Sequence, residues 1–151
     1  MNIYFYELPI GTIGIAGDNN AISRFFFGNK NTFGYSVKET LILKEAALQL
    51  REYFDRKRVK FDLPLSYHGT DFQISVWNAL LEIPYGETRS YKEVAEIIRN
   101  PNACRAVGMA NHRNPLAIFI PCHRVVEHNG GLGGYAGGLG VKQHLLDLEK
   151  N

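Results

Sequence analysis

Near the C-terminal end of the chain runs IFIPCHRVVEHNGGLGGYAGG, centred on Pro121-Cys122-His123-Arg124. An ionised cysteine is a strong nucleophile, and histidine is the side chain best suited to taking up a proton near neutral pH. The two residue types together read as a nucleophile and its base. Their adjacency counts against direct contact, because neighbours on a strand face opposite ways and neighbours on a helix splay apart. One bridging water would close that gap, as general-base geometry permits. Taken alone, Cys122 reads as an inert buried thiol at a strand end. Its surroundings have to decide.

Several other chemistries are excluded first. The chain has two cysteines, Cys104 and Cys122, too few for a disulfide framework in an intracellular protein. CxxC pairs are absent and five scattered histidines show no ligand spacing, so no metal site and no cofactor are expected. The first residues, MNIYFYELPIGTIGIAGD, lack a basic n-region and a continuous apolar h-region. No apolar run approaches the roughly 20 residues that span a bilayer. The expectation is a soluble, cytoplasmic monomer with no membrane partner. A net charge of +2 announces no nucleic-acid binder. Yet no acidic residue lies between Glu96 and Glu127, a window that carries Arg99, Arg105, Arg113 and Arg124 with His112 and His123. On charge alone this is a chance gap; it gains meaning only if it lies on a nucleic-acid-binding motif.

The elements that would position these residues fall into two regions, 1–65 and 66–151. With 151 residues, 45% of them hydrophobic, the chain can build a real core. IYFYEL, TIGIAG and ISRFFFG read as three antiparallel strands in a meander, and Val37 to about Arg56 as a long helix. Lys57–Leu65 reads as extended. This first region holds no cluster of catalytic residue types and reads as a scaffold. In the second, Thr70-Asp71 can cap a helix over FQISVWNALLEI. Ser90 and Glu93 form a capping box opening YKEVAEIIR. Asn100-Pro101 breaks that helix and starts another, NACRAVGMANHR. Two short helices joined by a tight break look like a helix-turn-helix. The small residues of the second helix, Ala103, Ala106, Gly108 and Ala110, would let it approach a groove, or let helices pack closely; taken alone the two readings stand level. Arg105 is the long cation in its middle. An apolar strand, LAIFI, would deliver Cys122. A glycine-dense loop and an amphipathic helix, VKQHLLDLEK, end the chain. The fold class is α/β (α+β): a small sheet with a helix, then a mostly helical unit.

RAVG, NP, IPCHRVV, GGYAGG and LL-x-x-E, preceded by TDFQ, VW-x-AL, IPYGET and SYKEVA, closely resemble the O6-alkylguanine-DNA alkyltransferases. The matching region runs from about Thr70 to Glu149. The first region resembles that family's ribonuclease-H-like domain more weakly, and the second its winged-helix or helix-turn-helix domain. The resemblance implies a DNA repair protein that binds duplex DNA through the minor groove with little sequence preference. It would flip O6-alkylguanine, with O4-alkylthymine as a further substrate, and move the alkyl group irreversibly onto its own cysteine. It further implies Cys122 as acceptor, His123 as its base and Glu149 as the group orienting His123. Tyr91 would protonate or hydrogen-bond the leaving guanine, and Asn114 would be the hinge between helix and strand. Arg105 would fill the space of the flipped base. Tyr135, with backbone near Val125 and Ala136, would line the base pocket. Ala106, Asn111 and Arg124 would contact DNA or substrate.

These roles make physical sense. A free thiol is only slightly ionised at neutral pH, so attack on an alkyl carbon needs an activated sulfur and a stabilised leaving group. The target sits in the base stack, and extrusion costs a few kcal/mol. Two features depart from the family's habits: Met109 stands where a small residue is usual, and Arg99-Asn100 replaces a glycine at the helix end; Cys104 lies beside Arg105. Two rival readings remain. A non-reacting module that binds alkylated DNA would lack Cys122. A cysteine hydrolase would leave the helix-turn-helix unexplained.

Overall fold

The computed structural model describes residues 1–29 and 33–150. The chain divides into two compact units, Met1–Tyr67 and His68–Asn151.

The first unit opens with strands β1 (Asn2–Leu8), β2 (Gly11–Gly17) and β3 (Ile22–Phe27). They form the antiparallel meander that their β-branched and aromatic residues favour. β1 pairs with β2 from Asn2↔Gly17 to Leu8↔Gly11, and β2 with β3 from Ile13↔Phe27 to Gly17↔Ile22. A short fourth strand, β4 (Ser36–Val37), lies parallel to the other edge of β1. The sequence pattern predicted helix from Val37 onward. Instead Ser36 N–H donates to the Met1 carbonyl (3.0 Å) and Lys38 N–H to the Ile3 carbonyl (3.1 Å), so this stretch satisfies the open edge of β1 first. Helix α1 (Leu41–Phe54) then starts at Thr40, whose hydroxyl caps the Leu43 N–H at 3.3 Å. α1 packs on β1 and β2 and buries Leu43, Ala46, Ala47, Leu50 and Tyr53 with Ile3, Ile13 and Ile15. Leu65 returns to bridge Ile22.

The second unit begins with α2 (Asp71–Leu81), opened by a complete capping box between Thr70 and Gln73. Trp77 Nε1 donates to the Ala110 carbonyl at 2.8 Å, which ties this helix to the segment around Ala110. Strand β5 (Arg89–Ser90) leads into α3 (Tyr91–Ile97), with the capping box of Ser90 and Glu93 formed as the sequence predicted. α4 (Cys104–His112) follows, and α3 and α4 make the helix-turn-helix. α4 starts at Cys104, later than the proline suggested; Pro101 sits in a preceding turn closed by Ala103 N–H to the Asn100 carbonyl (3.0 Å). A 3₁₀ turn (Cys122–Arg124), strand β6 (Val125–Val126) and α5 (Leu139–Glu149) complete the unit. β6 pairs in parallel with β5.

The expected strand LAIFI is not formed. Residues 116–120 are all buried, so side-chain alternation has no solvent face to use. Their backbone groups are met locally. Ile120 N–H reaches the Leu116 carbonyl (2.8 Å), and Phe119 N–H reaches the Ala117 carbonyl (2.9 Å). The latter closes a γ-turn around Ile118, held at φ +73°, a strained conformation for a β-branched residue. The Asn114 side chain supplies the rest, donating to the Ile120 carbonyl (2.8 Å) and accepting from Leu116 N–H (2.9 Å).

α3 ends with Arg99 N–H bonded to the Glu96 carbonyl and Asn100 N–H to the Ala95 carbonyl, the bonding pattern of a Schellman cap. That cap needs a left-handed residue, and Arg99 fills it at φ +60°. A side chain there costs about 1–2 kcal/mol, partly offset by the lower entropy of its unfolded chain relative to glycine. Arg99→Gly should therefore raise the thermal unfolding midpoint by roughly 1–4 °C, measured by calorimetry. A lower midpoint would show that the arginine side chain makes a compensating contact.

Candidate active site

The 3₁₀ turn answers how adjacent residues can serve one centre. At three residues per turn, successive side chains point roughly 120° apart. Cys122, His123 and Arg124 therefore radiate from one point, and all three are buried. His123 and Arg124 converge on Glu149, at the end of α5. His123 Nε2 lies 2.7 Å from Glu149 Oε2. Arg124 donates through Nε to Oε1 at 2.8 Å and through Nη2 to Oε2 at 3.0 Å. Arg124 Nη1 donates to the Ile83 carbonyl at 2.7 Å. Gly86 N–H reaches Glu149 Oε1 at 3.2 Å, from a residue held at φ +82° that glycine accommodates.

This carboxylate is strongly stabilised. Burial alone would raise the Glu149 pKa, but the hydrogen bonds and charges of His123 and Arg124 outweigh it and hold the group far below its usual range. With Nε2 spent on an ionised carboxylate, His123 carries its proton there. Its Nδ1 is buried and has no hydrogen-bond partner among the described residues. Burial lowers the His123 pKa, although Glu149 opposes that. The imidazole is neutral, with a lone pair at Nδ1.

Cys122 is 5% exposed. Burial pushes its thiol up to about 11, despite a hydrogen bond from Asn114 and the positive charge of Lys142, both of which lower it. The resting pair is therefore a thiol beside a neutral imidazole. Asn111 Nδ2 donates to the Cys122 carbonyl at 3.3 Å. The pairing of Arg89 with Val125 and Ser90 with Val126 holds the start of α3, and so Tyr91, next to the segment leaving Cys122. Burial and the nearby Cys122 sulfur raise the Tyr91 pKa, so its hydroxyl stays protonated. The glycine loop folds over this hydroxyl. A Cβ on Gly133, at φ +72°, would lie 2.5 Å from Tyr91 Oη; only glycine fits there.

One residue of the site was missed in the sequence. Lys142 is fully buried, and its ammonium donates to three carbonyls: Val125 at 2.6 Å, Leu132, and Gly134 at 3.3 Å. It also sits 5.9 Å from the centre of the Tyr91 ring. Burial lowers its pKa to about 8, against the pull of Cys122 and Glu127. Lys142 thus ties the glycine loop to β6 and places positive charge near the thiol. The signal was available: Lys142, Leu145 and Glu149 share one helical stripe at i, i+3, i+7.

The remaining sequence-predicted residues divide between surface and interior. Arg105 and Ala106 are exposed on α4. A groove of about 440 Å³ gathers Arg105, Tyr91, Gly108, Asn111, Gly133 and Gly134. Cys104 lines it too, while Met109 is exposed. Tyr135 and Val125 are buried and Ala136 is exposed; none of them, nor Cys122, lines this groove. Arg124, expected to contact DNA or substrate, is instead turned inward onto Glu149, because a buried carboxylate needs a cation. Among the described residues no cluster could hold a metal ion, and no helix is long and apolar enough to cross a membrane.

Two measurements test this centre. The stability supplied by Glu149 is present in full above its ordinary value of 4.5. It is lost progressively as pH falls from there toward the folded-state value. His123 acts in the same direction: below its ordinary 6.5 the unfolded chain binds a proton that the native imidazole resists. The unfolding midpoint should fall between pH 7 and pH 4. Glu149→Gln should lose about 3–5 kcal/mol at pH 7 and show a flatter pH profile. Lys142→Met leaves three carbonyls without their donor and should cost about 2–3 kcal/mol in urea denaturation; an unchanged midpoint would remove its clamping role.

Two family models cover the chain. The 6-O-methylguanine DNA methyltransferase ribonuclease-like domain matches residues 1–67, and the DNA-binding domain of the same family matches residues 71–151. A methylated-DNA–protein-cysteine methyltransferase of Methanosarcina barkeri is 52% identical over 149 residues, covering 96% of this chain and 94% of that protein. The constitutive enzyme of that name from Bacillus subtilis is 46% identical, covering 99% and 96%. The crystal structure of Mycobacterium tuberculosis OGT in complex with DNA superposes with a TM-score of 0.94 at 42% identity, covering 99% of this chain and 93% of that one. The chain belongs to the 6-O-methylguanine DNA methyltransferase family.

Proposed function

We propose that this chain repairs DNA by transferring the alkyl group of O6-alkylguanine, and of O4-alkylthymine, to Cys122, once per molecule. The observation that carries this reading is the buried Cys122 thiol on a turn whose next residue, His123, keeps a free Nδ1 while Nε2 is held by Glu149. The Cys122 proton passes to His123 Nδ1, through one water because the two residues are adjacent. The sulfur attacks the alkyl carbon, the S–C bond forms as the C–O bond breaks, and the electron pair leaves with the guanine. Tyr91, kept protonated by burial, donates a hydrogen bond to that developing anion. Water does not cleave a thioether, so the transfer is final. Glu149 orients His123 and stabilises the imidazolium. Asn114 orients the thiol and caps the turns before it, in place of a hinge to a strand.

The same reading assigns residues 1–65 as scaffold and 66–151 as the DNA-binding and alkyl-acceptor unit. The helix-turn-helix docks in the minor groove through α4, where Ala106 and Gly108 allow close approach. Arg105, long, planar and cationic, enters the stack in place of the extruded base. Tyr135, Val125 and Ala136 border the space that receives it. Contacts to the sugar-phosphate backbone dominate and give little sequence preference. The protein acts as a monomer in the cytoplasm and needs no cofactor.

Intact mass spectrometry after incubation with a duplex containing O6-methylguanine should show one methyl group per molecule on Cys122, and none in Cys122→Ala. Binding without an adduct would favour a non-reacting lesion-binding module, and multiple turnovers would contradict a single-use acceptor.

A further inference from the structure

We propose that Met109 is an apolar wedge that enters the minor groove beside Arg105 and makes alkyl transfer depend on how readily the base steps flanking the lesion unstack. The inference rests on the DNA-repair reading. It adds a residue that sets sequence context through the deformability of the duplex rather than through base identity.

The solvent face of α4 is a single stripe. Val107, Ala110 and Asn111 are buried, while Arg105, Ala106, Met109, His112 and the C-cap Arg113 are exposed. At 3.6 residues per turn, Met109 falls in the middle of that stripe, with Arg105 and His112 to one side and Ala106 and Arg113 to the other. A surface that covers both Arg105 and Arg113 therefore covers Met109. Its side chain is large, apolar and 60% exposed. Neither arginine forms an ion pair among the described residues, and no acidic residue lies between Glu96 and Glu127. Uncompensated positive charge calls for a polyanion. The apolar centre calls for something other than phosphate beneath it. Phosphates at two rims with sugars and base edges between them meet both demands, and that is the layout of a nucleic-acid groove.

Methionine suits this place. The minor groove is about 6 Å wide, and an unbranched, flexible thioether adapts to a narrow, irregular space. Apolar side chains of minor-groove proteins, methionine among them, insert between base steps, partly unstack them and bend the duplex. Met109 lies four residues from Arg105, about 6 Å along the helix, or roughly two stacked base pairs at about 3.4 Å each. With Arg105 in the gap left by the extruded base, Met109 loosens the stack within two steps of it. Extrusion itself requires unstacking, so a step that yields to the wedge eases it and a stiff step resists. TA and CA steps are flexible, whereas A-tracts are stiff and narrow the groove.

The test compares single-turnover transfer to Cys122 from two duplexes carrying O6-methylguanine. In one, TA and CA steps lie within two base pairs of the lesion on both sides; in the other, A-tracts flank it. The wild-type protein should react several-fold faster in the flexible context. Met109→Ala should shrink that ratio roughly twofold or more and leave transfer from free O6-benzylguanine unchanged. Fluorescence energy transfer between the ends of an unmodified duplex should show a bend on binding the wild-type protein that is smaller with Met109→Ala. Equal context ratios in the two proteins, or equal bends, would overturn the proposal. So would equal slowing of transfer from DNA and from the free base, which places Met109 in the fold rather than in the groove. Absence of any Cys122 adduct with the wild-type protein would instead remove the alkyl-transfer reading, and the bend comparison would still decide on the wedge.

Discussion

The second unit is organised around one buried carboxylate. Glu149 receives the His123 ring, two guanidinium N–H groups of Arg124 and the Gly86 amide. Through these bonds the last helix fixes the 3₁₀ turn, and the turn after α2 is drawn to the same point. Isolated in an apolar interior, such a charge would cost several kcal/mol. Here the paired cation and the hydrogen bonds outweigh the desolvation, as its depressed pKa shows. The consequence is chemical as well as structural. A carboxylate fixed at Nε2 leaves Nδ1 as the only ring nitrogen able to take a proton.

A second buried charge complements the first. Lys142 lies on the same stripe of α5 and holds the carbonyls of Val125, Leu132 and Gly134. One helix thus presents an anion to the His123 ring and a cation to the loop beside Tyr91. The two charges act on different partners, which is why α5 positions both His123 and the glycine loop. The glycines at 86 and 133 follow from this closeness: one brings its amide to Glu149, the other leaves room for the Tyr91 hydroxyl.

The state of Cys122 suits an acceptor that is used once. A thiol pushed up to about 11 by burial is inert toward adventitious electrophiles. On the proposed reading, activation is deferred until a substrate occupies the pocket and the proton can pass to His123. A recycling cysteine enzyme gains from a preformed thiolate; a consumable one gains from keeping its sulfur unreacted until the lesion arrives. The strained γ-turn at Ile118 and the hydrogen bonds of Asn114 hold the approach to this sulfur, in keeping with strain being stored where geometry matters most.

Local sequence determined much of this. The meander of the first unit, the capping boxes at Thr70 and Ser90, and the break between α3 and α4 are written in side chains that act within a few residues of themselves, so pattern and propensity suffice to find them. Cys122, His123, Glu149 and Tyr91 could be singled out as candidates because their motifs are long and ordered. What the sequence could not show was decided by long-range pairing. Val37 looked helical until the edge of β1 claimed it. LAIFI looked like a strand, yet burial on every side and the Asn114 side chain fold it into turns. Arg99 takes a left-handed cap that composition would assign to glycine. Arg124 resembled a surface cation, and only the placement of α5 turned it inward; the same placement buried Lys142 and left Asn111 with an acceptor unpaired. Short-range sequence named the candidate residues, but burial, which depends on the whole unit, set their charge states and partners.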